Sequence, residues 1–135
     1  MADVSTFAAN GVTYNIKDAT ARDGVAALQI TSGQNYIKLP DGTMIAWVWQ
    51  SYSNTAFDST WGSLYYSSEL TLPNWPVSFY GTPYAVASAQ GGNDVFLGTI
   101  TNTSNTSAGK CYAYKPVTGN VTVSIAAIGI GRWKA

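Results

Sequence analysis

The chain has 135 residues, of which only 10% are charged, and its seven basic and seven acidic side chains cancel. A soluble domain usually has about 25% charged residues, and this one has no lysine or arginine cluster, so no nucleic acid partner and no membrane insertion are predicted. Because the chain has no histidine and a single cysteine, a Ser-His-Asp triad, a Cys-His pair and metal sites built on those residues are excluded, and no cofactor is predicted.

The N-terminal residues have polar character and a turn signal. Residues 1–5 have neither the basic nor the apolar segment of a signal peptide, so synthesis and folding in the cytoplasm are expected. Residues 4–14 alternate loosely and contain Asn10-Gly11, the dipeptide that most readily adopts the positive φ values of a tight turn. A small β-hairpin is predicted here.

The next segment, residues 19–29, is the only one with helical composition, and Asp18 is placed to cap it. Its apolar side chains fall on one stripe, with the spacing by which helices meet along a seam: Ala21, Val25 and Leu28. An isolated helix this short is marginal, so it requires partner chains. Residues 1–33 are therefore predicted to form a self-associating stalk, which ends in the polar residues 31–35.

Residues 34–135 carry β signals throughout. Residues 36–39, the turn Pro40-Asp41-Gly42-Thr43 and residues 44–49 predict a strand, a turn and a strand, and the alternation places Trp47 and Trp49 in the core. Further strands are predicted at residues 68–72, 84–89, 95–100, 110–115 and 121–130. Short strands at this spacing are typical of an antiparallel β-sandwich or barrel-like domain.

Residues 50–66 are polar, with scattered aromatic side chains and little periodicity, and are predicted to form a long ordered insertion loop. Asp58 and Glu69 flank the aromatic residues 61–66 of this segment and have no evident turn or capping role, and a sugar-cleaving enzyme would need such a carboxylate pair. Polar surface use of these residue types is far commoner, so no enzymatic activity is predicted. Cys111 lies in an alternating stretch and is expected to be a buried, unreactive thiol.

Two stretches resemble a known family. Residues 14–22, Tyr-Asn-Ile-Lys-Asp-Ala-Thr-Ala-Arg, resemble the lead-in to the trimeric helical neck of bacteriophage tail and fibre proteins. Residues 35–47, Asn-Tyr-Ile-Lys-Leu-Pro-Asp-Gly-Thr-Met-Ile-Ala-Trp, and residues 125–134, Ile-Ala-Ala-Ile-Gly-Ile-Gly-Arg-Trp-Lys, are similar to the start and end of the C-terminal knob domain of tail fibres.

The resemblance implies a β knob that forms homotrimers, a location at the tip of the tail fibre in the virion, and contact with glycans outside the host cell. Other tail or baseplate proteins would be partners. The sequence departs from the family in the insertion at residues 50–66 and in having no long shaft before the knob.

The leading hypothesis is a receptor-binding module for host cell-surface carbohydrate, in which aromatic rings stack on sugars while amides and carboxylates serve the hydroxyls. The candidate ligand-binding residues are Trp61, Tyr65, Tyr66, Tyr80, Asn93 and Asp94. A second hypothesis is a trimerisation cap of the fibre that has no ligand of its own. The third is a glycan-cleaving enzyme that uses Asp58 and Glu69.

Overall fold

The computed structural model describes residues 6–15, 30–91, 95–98 and 100–135. Every regular element in these ranges is a β-strand, and the strands pair antiparallel, which confirms the predicted mainly β fold. The strands are β1 (Thr6–Ala9), β2 (Val12–Asn15), β3 (Thr31–Gly33), β4 (Tyr36–Lys38), β5 (Thr43–Thr55), β6 (Phe57–Trp61), β7 (Leu64–Ser67), β8 (Leu70–Thr71), β9 (Tyr84–Gln90), β10 (Phe96–Leu97), β11 (Lys110–Cys111), β12 (Ala113–Lys115) and β13 (Val121–Arg132).

Several predicted features lie outside the described residues. They are the helix at residues 19–29 with its seam residues Ala21, Val25 and Leu28, and the candidate ligand contacts Asn93 and Asp94. In the ranges that the model describes, no helix has the length and apolar character needed to cross a bilayer.

The predicted N-terminal hairpin is present. β1 pairs with β2, and the two residues that connect them, Asn10 and Gly11, have φ values of 52° and 75°. Positive φ at both central positions is what a two-residue turn requires if it is to match the twist of its strands.

The largest sheet has five strands in the order β3-β4-β5-β13-β9. Its central strand is β5, and β13 pairs along most of its length with β5 and on its other side with β9. Residues 31–33, which the sequence analysis assigned to the polar end of the stalk, form the edge strand β3 of this sheet.

The turn between β4 and β5 follows the sequence prediction closely. Gly42 has a φ of 92°, and the amide of Leu39 donates to the carbonyl of Thr43 at 2.8 Å. The Asp41 carboxylate accepts hydrogen bonds from the backbone and the hydroxyl of Thr43, at 2.8 and 3.1 Å, and these hold the pKa of this carboxyl below its usual value. The turn is thus fixed by a glycine and a carboxylate that the sequence identifies.

A second layer consists of a four-stranded sheet in the order β10-β12-β7-β6 and a two-stranded sheet of β11 and β8. The prediction of a loop over residues 50–66 is wrong, because β5 continues to Thr55 and then β6 and β7 form a hairpin around Gly62, whose φ is 61°. The sequence signal is weak since only Phe57 and Ser67 of this hairpin are fully buried. Most of the remaining positions carry polar or aromatic side chains, residue types that an outward sheet face tolerates.

The core lies between the inner sides of the two layers. It contains Met44, Ala46 and Val48 of β5, Val123, Ile125 and Ala127 of β13, and, from the second layer and its connections, Phe57, Leu70, Leu72, Trp75, Phe79, Ala108, Cys111 and Ala113. Cys111 is fully buried, as predicted, and burial raises the pKa of its thiol to about 11.

The placement of Trp47 and Trp49 in the core is wrong. The side chains of β5 alternate between the two sides of the sheet, as predicted, but the tryptophans are on the outer side and not on the side that faces the core. Their indoles are 36% and 61% exposed. The space inside the sheet is already filled by rings from the connection after β8: a Cβ added to Gly129 would lie 2.9 Å from the Trp75 ring. The inner positions next to these rings accordingly carry small residues, Gly129 and Gly131 on β13 and, opposite Gly129, Ala46 on β5.

Candidate functional site

Aromatic side chains cover the outer side of the four-stranded sheet. The strand register places Phe96 of β10 opposite Tyr114 of β12, and Tyr114 opposite Tyr66 of β7. Because side chains alternate along a strand, these three rings lie on one side, while Ala113 and Ser67 point into the core from the other. With two neighbours they form what we call the aromatic face: Trp61, Tyr66, Phe96, Tyr112 and Tyr114.

Tyr114 is at the centre of the aromatic face. Its ring centroid is 5.7 Å from that of Trp61, 6.0 Å from Tyr66 and 6.2 Å from Phe96, and the Phe96 ring stacks nearly parallel to it, at 13°. Tyr112 meets Tyr66 edge-to-face at 5.9 Å. All four distances are in the favourable range of about 4.5–7 Å, so the rings hold one another in place.

The aromatic face is open to solvent. Trp61 at its edge is 68% exposed and Phe96 is 45% exposed, while the three tyrosines are half-buried. Exposed indole and phenyl surface next to phenol groups offers both apolar contact and hydroxyls that can donate or accept. A flat ligand with apolar faces and polar edges suits this arrangement.

Two of the charged groups beside the aromatic face neutralise each other. Lys110, two residues before Tyr112, donates to the Glu69 carboxylate at 2.5 Å, and this bond together with the attraction of the carboxylate raises the pKa of the lysine. Glu69 is thereby engaged in an exposed ion pair. Asp58 on β6 is exposed and has the Ser59 hydroxyl 3.5 Å away. An aromatic surface flanked by a neutral pair favours an uncharged ligand.

The structure brings some of the predicted ligand-binding residues together and separates others. Trp61 and Tyr66 both belong to the aromatic face. Tyr65 alternates to the other side of β7 and packs against the core. Tyr80 is 67% exposed, and its amide donates to Arg132 at the end of β13; within the described residues it makes no ring contact with the aromatic face.

Sequence analysis missed Phe96, Tyr112 and Tyr114 as site residues. A signal was present, since Tyr112 and Tyr114 are separated by one residue in a stretch that was correctly predicted as a strand and therefore share a face. Their juxtaposition with Trp61 depends on the pairing of β12 with β7, which no local pattern reveals.

No protein-family model matches the sequence, and no curated protein matches it. Among solved structures, the fold is similar to that of the C-terminal part of the R1 pyocin fibre of P. aeruginosa, with a TM-score of 0.53 and 17% identity over 90% of this chain and 32% of that chain. The chain thus spans about a third of that fibre fragment. An N-truncated R1-type pyocin tail fibre matches with a TM-score of 0.46 and 17% identity, over 84% of this chain and 96% of that one.

Proposed function

We propose that this chain is a receptor-binding module of a phage tail fibre or related appendage, and that it binds host cell-surface carbohydrate through the aromatic face. The single observation that carries the proposal is the set of five rings held in register on one open sheet surface. The similarity of the fold to a pyocin fibre supports the fibre role, and so does the resemblance of residues 35–47 and 125–134 to tail-fibre knobs.

The aromatic face has the physical properties that sugar recognition requires. Pyranose rings present apolar C–H faces that stack on indole and phenyl rings, and hydroxyl edges that pair with phenol groups. The Lys110–Glu69 pair adds no net charge beside the rings. We therefore propose neutral saccharide units as the ligand class.

Homotrimeric assembly is the second part of the proposal. A single shallow sugar site binds weakly, and linking several copies raises the effective affinity without any new contact. The trimer would occupy the fibre tip of the virion and act outside the host cell, while other tail or baseplate proteins attach it to the particle.

A trimerisation cap with no ligand of its own is the alternative, and the large apolar surface on the other sheet favours it, because Trp49, Val86 and Tyr84 there are more than half exposed. The cap and the receptor-binding module differ in one respect. Only the receptor-binding module adheres to host surface material.

The test measures binding to an array of purified bacterial surface polysaccharides. We expect Trp61→Ala to weaken binding about tenfold, which corresponds to roughly 1.4 kcal/mol, because the most exposed ring of the aromatic face is lost. Tyr80→Ala is the matched control, since Tyr80 is 67% and Trp61 68% exposed, and it should bind as the wild type does. Equal binding by Trp61→Ala would contradict the site, and a wild-type chain that binds no polysaccharide while its fibre assembles would favour the cap.

A further inference from the structure

The central part of the outer side of the five-stranded sheet is apolar, and none of the residues that the structure describes covers it. The register places Trp47, Ile128 and Val86 in one row across β5, β13 and β9, and Ile130 opposite Tyr84 in the next. We call this surface the apolar face; its exposed members are Trp47, Trp49, Tyr84, Val86, Ile128 and Ile130.

No outward position of the apolar face carries a charged side chain within the stretches Ile45 to Trp49, Tyr84 to Ser88 and Ala126 to Ile130; the next outward position of β13 is the exposed Arg132. The polar side-chain groups at these positions are the hydroxyls of Tyr84 and Ser88 and the indole N–H groups of Trp47 and Trp49. Depletion of charge, with aromatic and branched aliphatic residues in its place, is the composition of the buried centre of a protein interface. It is unlike a sheet side that faces water, where polar residues alternate with apolar ones.

The area of the apolar face matches what an interface needs. Its six residues are 36–91% exposed. Because the whole surface of an aromatic side chain is about 150–250 Å², the combined exposed area of the six residues is on the order of 700 Å². The largest apolar patch on a typical monomer is roughly 300–600 Å². A stable interface buries roughly 800 Å² per partner, so the apolar face alone supplies most of the area that such an interface requires.

We propose that the apolar face is buried against further copies of this chain and forms the interface of the knob. This inference rests on the homotrimer proposed above and assigns its contact surface. Three such faces turned toward a common axis would build an uncharged core, in which Trp47 and Trp49 supply the large rings that dominate interface energetics. A copy of the same chain presents the same apolar composition, and a charged partner would lose hydration without gaining an ion pair.

The position of the apolar face is compatible with the proposed function. The two layers pack through their inner sides, at Met44 and Ile125 of one and Phe57 and Ala113 of the other. The apolar face and the aromatic face are therefore the outer sides of opposite layers. Assembly through the first leaves the second open to solvent.

The test is the mass of the full chain by size-exclusion chromatography with light scattering, with Val86→Lys as the variant. Val86 is 70% exposed on the edge strand β9, where lysine is well tolerated in a single chain. We expect the wild type to have about three times the chain mass of 14.3 kDa and Val86→Lys to be monomeric. Val117→Lys is the matched control, because Val117 is 64% exposed but lies outside the apolar face, and it should remain trimeric.

A second variant separates loss of assembly from loss of folding. Ile128→Thr keeps a β-branched side chain at the centre of the apolar face. It should raise the dissociation constant of the trimer at least tenfold, while the far-UV circular dichroism spectrum stays that of the wild type. A trimer that survives both Val86→Lys and Ile128→Thr would overturn the interface but leave the homotrimer standing. A monomeric wild type that binds polysaccharide would overturn the interface and the trimer together, and leave the aromatic face standing.

Discussion

Single residues decide which side of the five-stranded sheet is the core. Trp75 and Phe79 lie across the inner side of β13 at Gly129, and the Trp75 indole is fixed by the hydrogen bond that its Nε1 donates to Ser104 at 3.1 Å. These two rings meet edge-to-face at 5.5 Å. Glycine at position 129 is therefore a packing requirement, since any Cβ would press on a ring that has no freedom to move.

We expect Gly129→Ala to destabilise the protein by about 1–3 kcal/mol, the usual result of overpacking a core. Gly81→Ala is the control, because a Cβ there meets no atom within 4 Å, and it should change stability by no more than about 0.5 kcal/mol. Urea unfolding at equal protein concentration measures both, since assembly makes stability depend on concentration. Equal stability of the two variants would contradict the close packing at Gly129.

Sequence reasoning succeeds at this scale where the chemistry is local. The role of Asp41 in its turn and the burial of Cys111 follow from neighbours within a few residues, and both are confirmed. It fails at Trp47 and Trp49 because the phase of an alternating strand is set by the residues opposite it. Gly129, Trp75 and Phe79, which occupy the inner side, are far from these tryptophans in sequence.

At the scale of elements, the β6–β7 hairpin contributes its outer side to the aromatic face and its inner side to the core. Trp61 and Tyr66 point outward into the aromatic face, and Phe57 and Ser67 point inward. Ser67 is fully buried, and its hydroxyl accepts the amide of Ala113 at 3.1 Å and donates to the carbonyl of Ser68 at 2.8 Å. A polar side chain thus helps to join β7 to β12, and a search for hydrophobic periodicity does not detect it.

Removing this hydroxyl tests the junction. We expect Ser67→Ala to cost about 1–3 kcal/mol, because the buried amide of Ala113 loses its partner. Ser59→Ala on the same hairpin should be nearly neutral, since Ser59 is exposed and its hydroxyl has only a 3.5 Å contact with Asp58. Thermal unfolding compares the two, and a neutral Ser67→Ala would show that the junction holds without this bond.

The strands of the five-stranded sheet are more predictable than this hairpin. The bounds of β4, β9 and β13 are predicted to within two residues, and the start of β5 to within one, because glycine and proline mark the turn at residues 40–42 and the apolar positions of these strands alternate. The polar second half of β5, to Thr55, is not predicted. The pairing of β12 with β7 joins residues about 50 positions apart. Only the folded chain brings Tyr114 to Trp61 and completes the candidate site.

For the whole molecule, we assign different roles to the outer surfaces of the two layers. Low charge and many aromatic residues already indicate assembly, but composition alone does not say which aromatic residues are covered and which stay open. The structure distinguishes an apolar face, whose central row is Trp47, Ile128 and Val86, from an aromatic face rich in tyrosine. We infer self-association through the first and sugar recognition through the second.

Hydroxyl-radical footprinting of the wild-type chain, read by mass spectrometry at Trp49 and Trp61, tests both assignments in one experiment. The two indoles are almost equally exposed in a single chain, 61% and 68%, so intrinsic reactivity does not separate them. The account predicts that Trp49 is protected in the free protein, and that Trp61 reacts until a bound surface polysaccharide covers it. Equal labelling of Trp49 and Trp61 in the free protein, unchanged when a polysaccharide binds, would contradict it.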